Sequence, residues 1–105
     1  MMLKSFVTLS ALAALGASVP AQANLALAQK NACMACHAVD KKLVGPAYAD
    51  VAKKYAGQAD AVAKLSDSIK KGGSGKWGPV PMPAQAALSD ADAATLAGWV
   101  LAGAK

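Results

Sequence analysis

Residues Cys33-Met34-Ala35-Cys36-His37 form a C-x-x-C-H motif, the most informative stretch of this 105-residue chain. Two thiols separated by two residues, close to a helix end, can form thioethers with the two vinyl groups on one edge of a porphyrin. The histidine that follows is then placed under the ring, where its imidazole can bind the iron. The motif therefore predicts covalent attachment of one haem c through Cys33 and Cys36, with His37 as an axial ligand.

Three other uses of these side chains have weaker support. A disulfide suits an oxidising compartment, but here it would close a very short loop and leave His37 without a role. A thioredoxin-like pair expects a βαβ context, and no segment of the sequence alternates as a strand does. A zinc site needs about four ligands, whereas Cys33, Cys36 and His37 are the only obvious soft ligands.

The second axial ligand follows by elimination. His37 is the only histidine, so two histidines from one chain cannot flank the iron. Met34 lies inside the attachment motif, on the histidine side of the ring, and is expected to fill core space. Met82 lies between Pro81 and Pro83, whose fixed φ angles can hold a loop rigid. We therefore predict His37 and Met82 as the axial pair, which raises the potential; a lysine ligand is the minor alternative.

The N-terminal 23 residues have the layout of an export signal. A short basic start precedes an apolar run over residues 6–19, Pro20 breaks the run, and Ala21-Gln22-Ala23 is a small-x-small cleavage pattern. The run is shorter than the roughly 20 apolar residues that a membrane anchor needs. We expect a signal peptide at 1–23, a single domain at 24–105, export to the periplasm and no membrane insertion.

The composition argues against nucleic-acid-binding functions and bears on how the domain is stabilised. The chain is 55% hydrophobic and 5% aromatic, with a net charge of +5 that comes from lysine, since arginine is absent. The missing arginine argues against a protein that recognises specific DNA bases. The few aromatic residues argue against a protein that binds single-stranded nucleic acid by stacking. We expect no nucleic-acid partner. A small, alanine-rich domain gains little stability from core burial alone, so the haem is expected to supply much of the core.

Apolar periodicity predicts an all-α fold of four to five short helices. The first runs from an N-cap at Asn24 toward Cys36, the second covers residues 48–56, and Asp60 caps the third. A capping-box-like start at Ser89 opens the last helix. The residues expected to face the core are Tyr48, Val51, Ala52, Tyr55, Val62, Leu65, Ile69, Leu96, Trp99, Val100 and Gly103.

The segment from Gly72 to Leu88 is rich in glycine and proline and is predicted as a long loop. A loop of this length is usually functional or disordered. Trp77, Val80 and Met82 are apolar and have no reason to sit in a solvated linker, so the functional interpretation is favoured.

With these ligands in place, the chain resembles a class I c-type cytochrome, most closely the short bacterial cytochrome c-551 (cytochrome c8) group. The resemblance covers nearly all of 24–105. Besides the haem motif it rests on Val44-Gly45-Pro46-Ala47-Tyr48, Trp77-Gly78-Pro79-Val80-Pro81-Met82-Pro83 and Leu96-Ala97-Gly98-Trp99-Val100-Leu101. It implies a small class I cytochrome c fold wrapped around one covalently attached haem, with the first and last helices crossing.

The same resemblance assigns two supporting residues. The carbonyl of Pro46 is expected to accept the N–H of His37, which fixes the tautomer and makes the ligand more basic. The indole of Trp77 is expected to donate to a haem propionate while it also packs. Two positions depart from the group. This chain has Gln85 where many relatives have an asparagine near the methionine sulfur, and it has Ser68 where some relatives have a basic residue near a propionate.

The resemblance implies a periplasmic monohaem electron carrier, not an enzyme, that docks transiently as a monomer. The donor implied is a quinol–cytochrome c reductase complex, and the acceptor is haem cd nitrite reductase, in denitrification, or a terminal oxidase, peroxidase or photosynthetic reaction centre. The alternative is a haem protein with an open or displaceable sixth ligand that acts as a gas sensor or peroxidase. Seven lysines either ring the haem edge or keep the domain soluble: Lys41, Lys42, Lys53, Lys54, Lys70, Lys71 and Lys76.

Overall fold

The computed structural model describes residues 21–105, which form four α-helices and one 3-10 turn. The elements are α1 (Ala21–Lys30), the 3-10 turn (Cys33–Ala35), α2 (Tyr48–Tyr55), α3 (Ala61–Lys71) and α4 (Asp90–Leu101). Within this part of the chain the only β-type pairings are two isolated bridges. The all-α prediction is confirmed. The predicted signal peptide at 1–23 lies outside the described residues, except for 21–23.

Helix α4 is the centre of the fold, because α1, α2 and α3 all pack against it. Ala93 and Ala97 on α4 and Ala28 on α1 are fully buried, and such small side chains let helix backbones approach closely. The larger side chains from each helix fill the remaining space. The buried cluster consists of Ala28, Tyr48, Val51, Tyr55, Ala61, Leu65, Ile69, Leu88, Ala93, Leu96, Ala97, Trp99 and Val100.

Helix α1 differs from the prediction at both ends. Its described part already includes residues 21–23, so Asn24 lies within the helix and is not its N-cap; alanine and glutamine are good helix formers. It ends at Lys30 instead of continuing toward Cys36. The Asn31 side chain donates to the Leu27 carbonyl at 2.9 Å, a local bond that favours helix ends over interiors. Ala32 then adopts a left-handed φ of 60°, and the chain enters the 3-10 turn.

Helix α3 presents a slightly different face from the one predicted. Ala61, Leu65 and Ile69 are buried at four-residue spacing, whereas Val62 is 43% exposed. A residue one step along a helix is rotated by about 100°, so Val62 leaves the face that α4 covers. Asp60 does occupy the N-cap position, but its carboxylate makes no capping hydrogen bond.

Helix α4 starts as the sequence predicts and ends earlier. The Ser89 hydroxyl accepts the backbone N–H of Asp92 at 3.0 Å, as in the first half of a capping box. The helix ends at Leu101. Gly103 therefore lies beyond it, with a φ of 90° that glycine tolerates, and was wrongly predicted as part of the inward face.

Two long irregular segments connect the helices, residues 38–47 and residues 72–88. Residues 72–88, between α3 and α4, form no helix, as predicted. Residues 38–47, between the 3-10 turn and α2, are likewise irregular. No helix in residues 21–105 has the length and apolar character required to cross a bilayer.

Candidate haem site

A cavity of about 360 Å³ lies between the two long connections. Its wall is mostly apolar and includes Cys36, His37, Pro46, Trp77 and Met82, five of the six site residues predicted from the sequence. A volume of this size is within the range typical of small-molecule sites. The fold thus brings the histidine of one loop and the methionine of another to the same cavity.

Cys33, the sixth predicted residue, is not part of the cavity wall. It is half-buried and packs against the core at the start of the 3-10 turn. Burial raises the pKa of its thiol, and a backbone hydrogen bond opposes that rise. Cys33 and Cys36 form no disulfide with each other. The turn keeps them near each other, because the N–H groups of Cys36 and His37 both bond the carbonyl of Cys33, at 3.2 and 3.0 Å.

The His37 imidazole is held on three sides. Its Nδ1 lies 2.8 Å from the carbonyl oxygen of Pro46, and the ring of Tyr48 stacks on it with centroids 5.1 Å apart and planes inclined by 19°. Gly45 fits against the ring so closely that a Cβ there would lie 2.5 Å from Cε1 of His37. When Nδ1–H donates to Pro46, Nε2 carries the lone pair that can bind a metal.

This arrangement follows from the local backbone. The N–H of Gly45 donates to the carbonyl of Cys36 at 2.7 Å, which folds residues 38–45 back over the histidine. The N–H of Tyr48 donates to the carbonyl of Ala38 at 2.9 Å and anchors the start of α2 beside the motif. Glycine is required at position 45 because the imidazole occupies the space of a side chain.

Tyr48 links this loop to the core. It is buried and meets the indole of Trp99 edge-on, with ring centroids 5.4 Å apart. Burial, with a smaller contribution from the nearby Cys33 charge, raises the pKa of Tyr48 well above its usual value. The phenol therefore remains neutral, and its ring acts as a fixed support for the imidazole.

Met82 is fixed by its backbone. It is half-buried against the core, and it pairs with Gly73 in one of the two isolated bridges. Gly72, with a φ of 68°, lies so close to the carbonyl of Met82 and the backbone of Pro83 that any Cβ would collide with them. Downstream, the N–H of Gln85 donates to the carbonyl of Ile69 at 3.1 Å. The end of α3 therefore positions the methionine loop.

The cavity also involves side-chain contacts that the sequence did not predict. Tyr55, predicted only as core, lines the wall, and so does Lys76, one of the seven lysines predicted either to ring the haem edge or to keep the domain soluble. The Lys54 ammonium lies 4.7 Å from the centroid of the Trp77 ring. No sequence pattern indicated these contacts, because they join residues that are far apart in the chain.

The donor set fits an iron porphyrin. An imidazole nitrogen from His37 and a thioether sulfur from Met82 are a known axial pair for haem iron. The apolar wall suits the porphyrin, and Lys42 and Lys76 on the wall offer cations for its carboxylates. Thiols, such as those of Cys33 and Cys36, are the groups that can form thioethers with haem vinyl groups.

Comparison with known proteins identifies the group. The family model described as "Cytochrome c" matches residues 23–103. Cytochrome c-552 of Hydrogenobacter thermophilus is 62% identical over 79 residues, which cover 75% of this chain and 80% of the relative. Cytochrome c-551 of Pseudomonas aeruginosa is 59% identical over 75 residues, or 71% of each chain. The crystal structure of cytochrome c552 from Nitrosomonas europaea superposes with a TM-score of 0.73 at 52% identity, over 75% of this chain and 98% of that one.

Proposed function

The chain belongs to the cytochrome c family, and we propose that it is a periplasmic carrier that passes single electrons between larger redox proteins. It binds one haem c covalently, as its family membership and its two cysteines imply. In this proposal Cys33 and Cys36 hold the porphyrin by thioethers, and His37 and Met82 are the axial iron ligands. Pro46 orients the histidine, and Trp77 donates to a propionate.

One observation carries the proposal: His37 and Met82 line the same apolar cavity, and each belongs to a loop fixed by backbone hydrogen bonds. The bound haem supplies the change between ferric and ferrous iron. The protein's part is to hold a nitrogen and a sulfur donor so firmly that neither moves when the charge on the iron changes. A site with this property transfers electrons quickly and leaves no position for a substrate.

The competing function, a gas sensor or peroxidase, requires Met82 to be absent from the iron or easily displaced. Two backbone hydrogen bonds to Gly73 and the close approach of Gly72 oppose such movement. A peroxidase also benefits from an acid–base group near the iron. In the described part of the chain no carboxylate lines the cavity. These features support the carrier over the enzyme.

The surface beside the cavity suits transient docking. Val44 and Val80 line the cavity and are 55% and 58% exposed, and Leu43, which precedes Val44 in the chain, is 44% exposed. Lys42 and Lys76 lie on the same wall. An apolar patch with positive charges around it fits the small, short-lived interfaces of redox partners. We propose a quinol–cytochrome c reductase complex as donor and haem cd nitrite reductase, a terminal oxidase, a peroxidase or a reaction centre as acceptor, with the carrier acting as a monomer.

The ligands are tested by the absorption spectrum of the oxidised, haem-loaded protein. We expect a low-spin spectrum with the weak far-red band of a sulfur–iron bond. A high-spin spectrum without that band would overturn the carrier assignment. Free or disulfide-bonded cysteines in protein matured in its own periplasm would overturn haem attachment. N-terminal sequencing of that protein tests the signal peptide, since the proposal expects the chain to begin at Asn24.

The partners are tested by stopped-flow electron transfer with each candidate at several ionic strengths. We expect the rate with the true acceptor to fall as salt rises, because salt screens attraction between lysines and an acidic partner. A rate that does not respond to salt would argue against the lysine ring.

A further inference from the structure

The tip of the methionine loop, residues 74–81, has few backbone ties to the rest of the protein. The Gly73–Met82 bridge closes the base of the loop. Within the tip, the one backbone hydrogen bond found in the described structure joins Gly75 to Gly78 at 2.8 Å, so it ties the tip to itself. Both glycines have positive φ angles, 93° and 120°. The order of the tip must therefore come from side chains.

Two side-chain contacts connect the tip to the end of α2. In one the lysine belongs to α2 and the aromatic ring to the tip, and in the other the lysine belongs to the tip and the aromatic ring to α2. Lys54 of α2 places its ammonium 4.7 Å from the centre of the Trp77 ring, a cation–π distance. Lys76 of the tip donates to the hydroxyl of Tyr55 at 2.9 Å. The Lys76 ammonium lies 5.5 Å from the centre of the Tyr55 ring, so the short contact to oxygen dominates there. We call these two contacts the crossed pair.

The crossed pair can fix the orientation of the loop tip relative to α2. Lys54 and Tyr55 are adjacent in α2, and Lys76 and Trp77 are adjacent in the loop, so two attachment points lie side by side on each partner. One contact would leave the tip free to swivel, whereas two neighbouring contacts restrain its rotation. Tyr55 is only 4% exposed, which makes it a rigid anchor. Trp77 is 40% exposed, so packing alone does not hold its ring.

We propose that Lys54 and Tyr55 are positioning residues for Trp77: through the crossed pair they hold the loop tip so that the indole stays at the wall of the haem cavity. The effect on the reduction potential rests on the proposed function, because it requires haem in this cavity. The ordering of the loop tip does not depend on the proposed function. A loosened indole interacts less with a propionate, and the less compensated negative charge favours ferric iron and lowers the reduction potential.

The experiment uses haem-loaded, ¹⁵N-labelled protein in the ferrous state, in four variants, with Lys76→Met and the Tyr55→Phe/Lys76→Met double variant added for a double-mutant cycle. Lys54→Met removes the cation but keeps the chain length, and Tyr55→Phe removes the hydroxyl without changing any charge. Lys54→Arg restores a cation, and Lys53→Met is the matched control, since Lys53 is exposed on the same helix and has no contact in the crossed pair. Trp99 provides an internal reference for Trp77.

We expect Lys54→Met and Tyr55→Phe to shift the indole N–H resonance of Trp77 and leave that of Trp99 unchanged. Exchange of the Gly75 amide, the one backbone N–H of the tip that is hydrogen-bonded in the described structure, should rise about tenfold, because loss of one contact of the crossed pair lets the tip open more often. Both variants should lower the reduction potential more than Lys53→Met does, and Lys54→Arg should restore the wild-type values. Nonadditive effects of Tyr55→Phe and Lys76→Met, measured as a double-mutant cycle, would support the direct contact.

Two results would overturn the proposal. Unchanged Trp77 resonance and loop exchange in both variants would show that the crossed pair does not hold the tip. Faster exchange with an unchanged indole resonance and potential would show that the pair stabilises the loop without positioning Trp77. The far-red band of each oxidised protein is recorded in parallel, so a failure of the His37 and Met82 assignment is seen separately from a failure of the crossed pair.

Discussion

Met82 and Gly73 are paired by two backbone hydrogen bonds: the N–H of Met82 donates to the carbonyl of Gly73 at 2.7 Å, and the N–H of Gly73 donates back at 3.1 Å. The prolines on either side of Met82 have no N–H to contribute. The loop is therefore fixed by the backbone of Met82 itself, and its side chain is free to serve as a ligand.

Met82→Ala should separate these two roles. The backbone pair with Gly73 remains possible, so we expect the haem to stay attached and the fold to persist. Loss of the thioether should open the sixth iron position and lower the reduction potential by on the order of 100 mV, a modest part of the roughly 0.8 V that axial ligands span. Absorption spectroscopy and potentiometry measure both changes. Met34→Leu is the control and should keep the far-red band; an unchanged potential in Met82→Ala would mean that another residue is the ligand.

Gly45→Ala should disturb the histidine. The new Cβ would lie 2.5 Å from Cε1 of His37, so the ring or the loop must move, at a cost of about 1–3 kcal/mol in the free energy of unfolding. Gly98→Ala is the matched control, because a Cβ at Gly98 meets nothing within 4 Å. Inside α4 that change should stabilise the protein by ~0.5–1 kcal/mol. Guanidinium unfolding of both haem-loaded variants tests the pair, and equal effects would show that Gly45 does not pack on His37 in solution.

The sequence predicts much of this site because its chemistry is local. The attachment motif lies within five consecutive residues, and Met82 follows from a count of possible ligands. Most of the predicted core positions of α2 and α4 and the cap at Ser89 are also confirmed, since each depends on residues within one helix. The exceptions are Ala52, which is only half-buried, and Gly103, which lies beyond α4. The assignments of Cys33, Cys36, His37, Met82, Pro46 and Trp77 to haem remain predictions.

The features that the sequence did not predict depend on contacts between distant residues or on helix phase. The crossed pair joins α2 to a loop more than twenty residues away, and no periodicity reports such a contact. In α3 the predicted positions Leu65 and Ile69 are buried, but the first turn contributes Ala61 to the core in place of Val62, because Ala61 continues the four-residue spacing of that face. Asn24 lies inside α1 and does not cap it, because the alanine and glutamine residues at 21–23 favour helix.

Ser89→Ala tests the cap of α4. The Ser89 hydroxyl accepts the Asp92 N–H at 3.0 Å, and loss of such a cap costs about 1 kcal/mol of stability. Asp60→Ala is a useful comparison, because Asp60 occupies the N-cap of α3 without a capping hydrogen bond. We expect that change to cost less than about 0.5 kcal/mol. Thermal unfolding of the two variants gives the difference, and an equal loss in both would contradict the distinction between the two caps.

Lys70 and Asp90 tie the end of α3 to the start of α4, and their ion pair predicts a pH dependence. A hydrogen bond from Lys70, and then its charge, hold the pKa of Asp90 below its usual value near 3.8. A carboxylate whose pKa is lower in the folded state contributes stability above its unfolded pKa and loses it as the pH falls through the folded value. Asp90→Asn should therefore destabilise the protein at pH 7 and have a smaller effect below about pH 3. The contribution is modest, because Asp90 is highly exposed.

In a Lys70→Met background the effect of Asp90→Asn should depend much less on pH. Urea is the denaturant, because a salt such as guanidinium chloride would screen the ion pair. The urea midpoints of the four proteins at both pH values test the prediction, and a pH dependence that persists without Lys70 would assign the shift to the helix terminus instead.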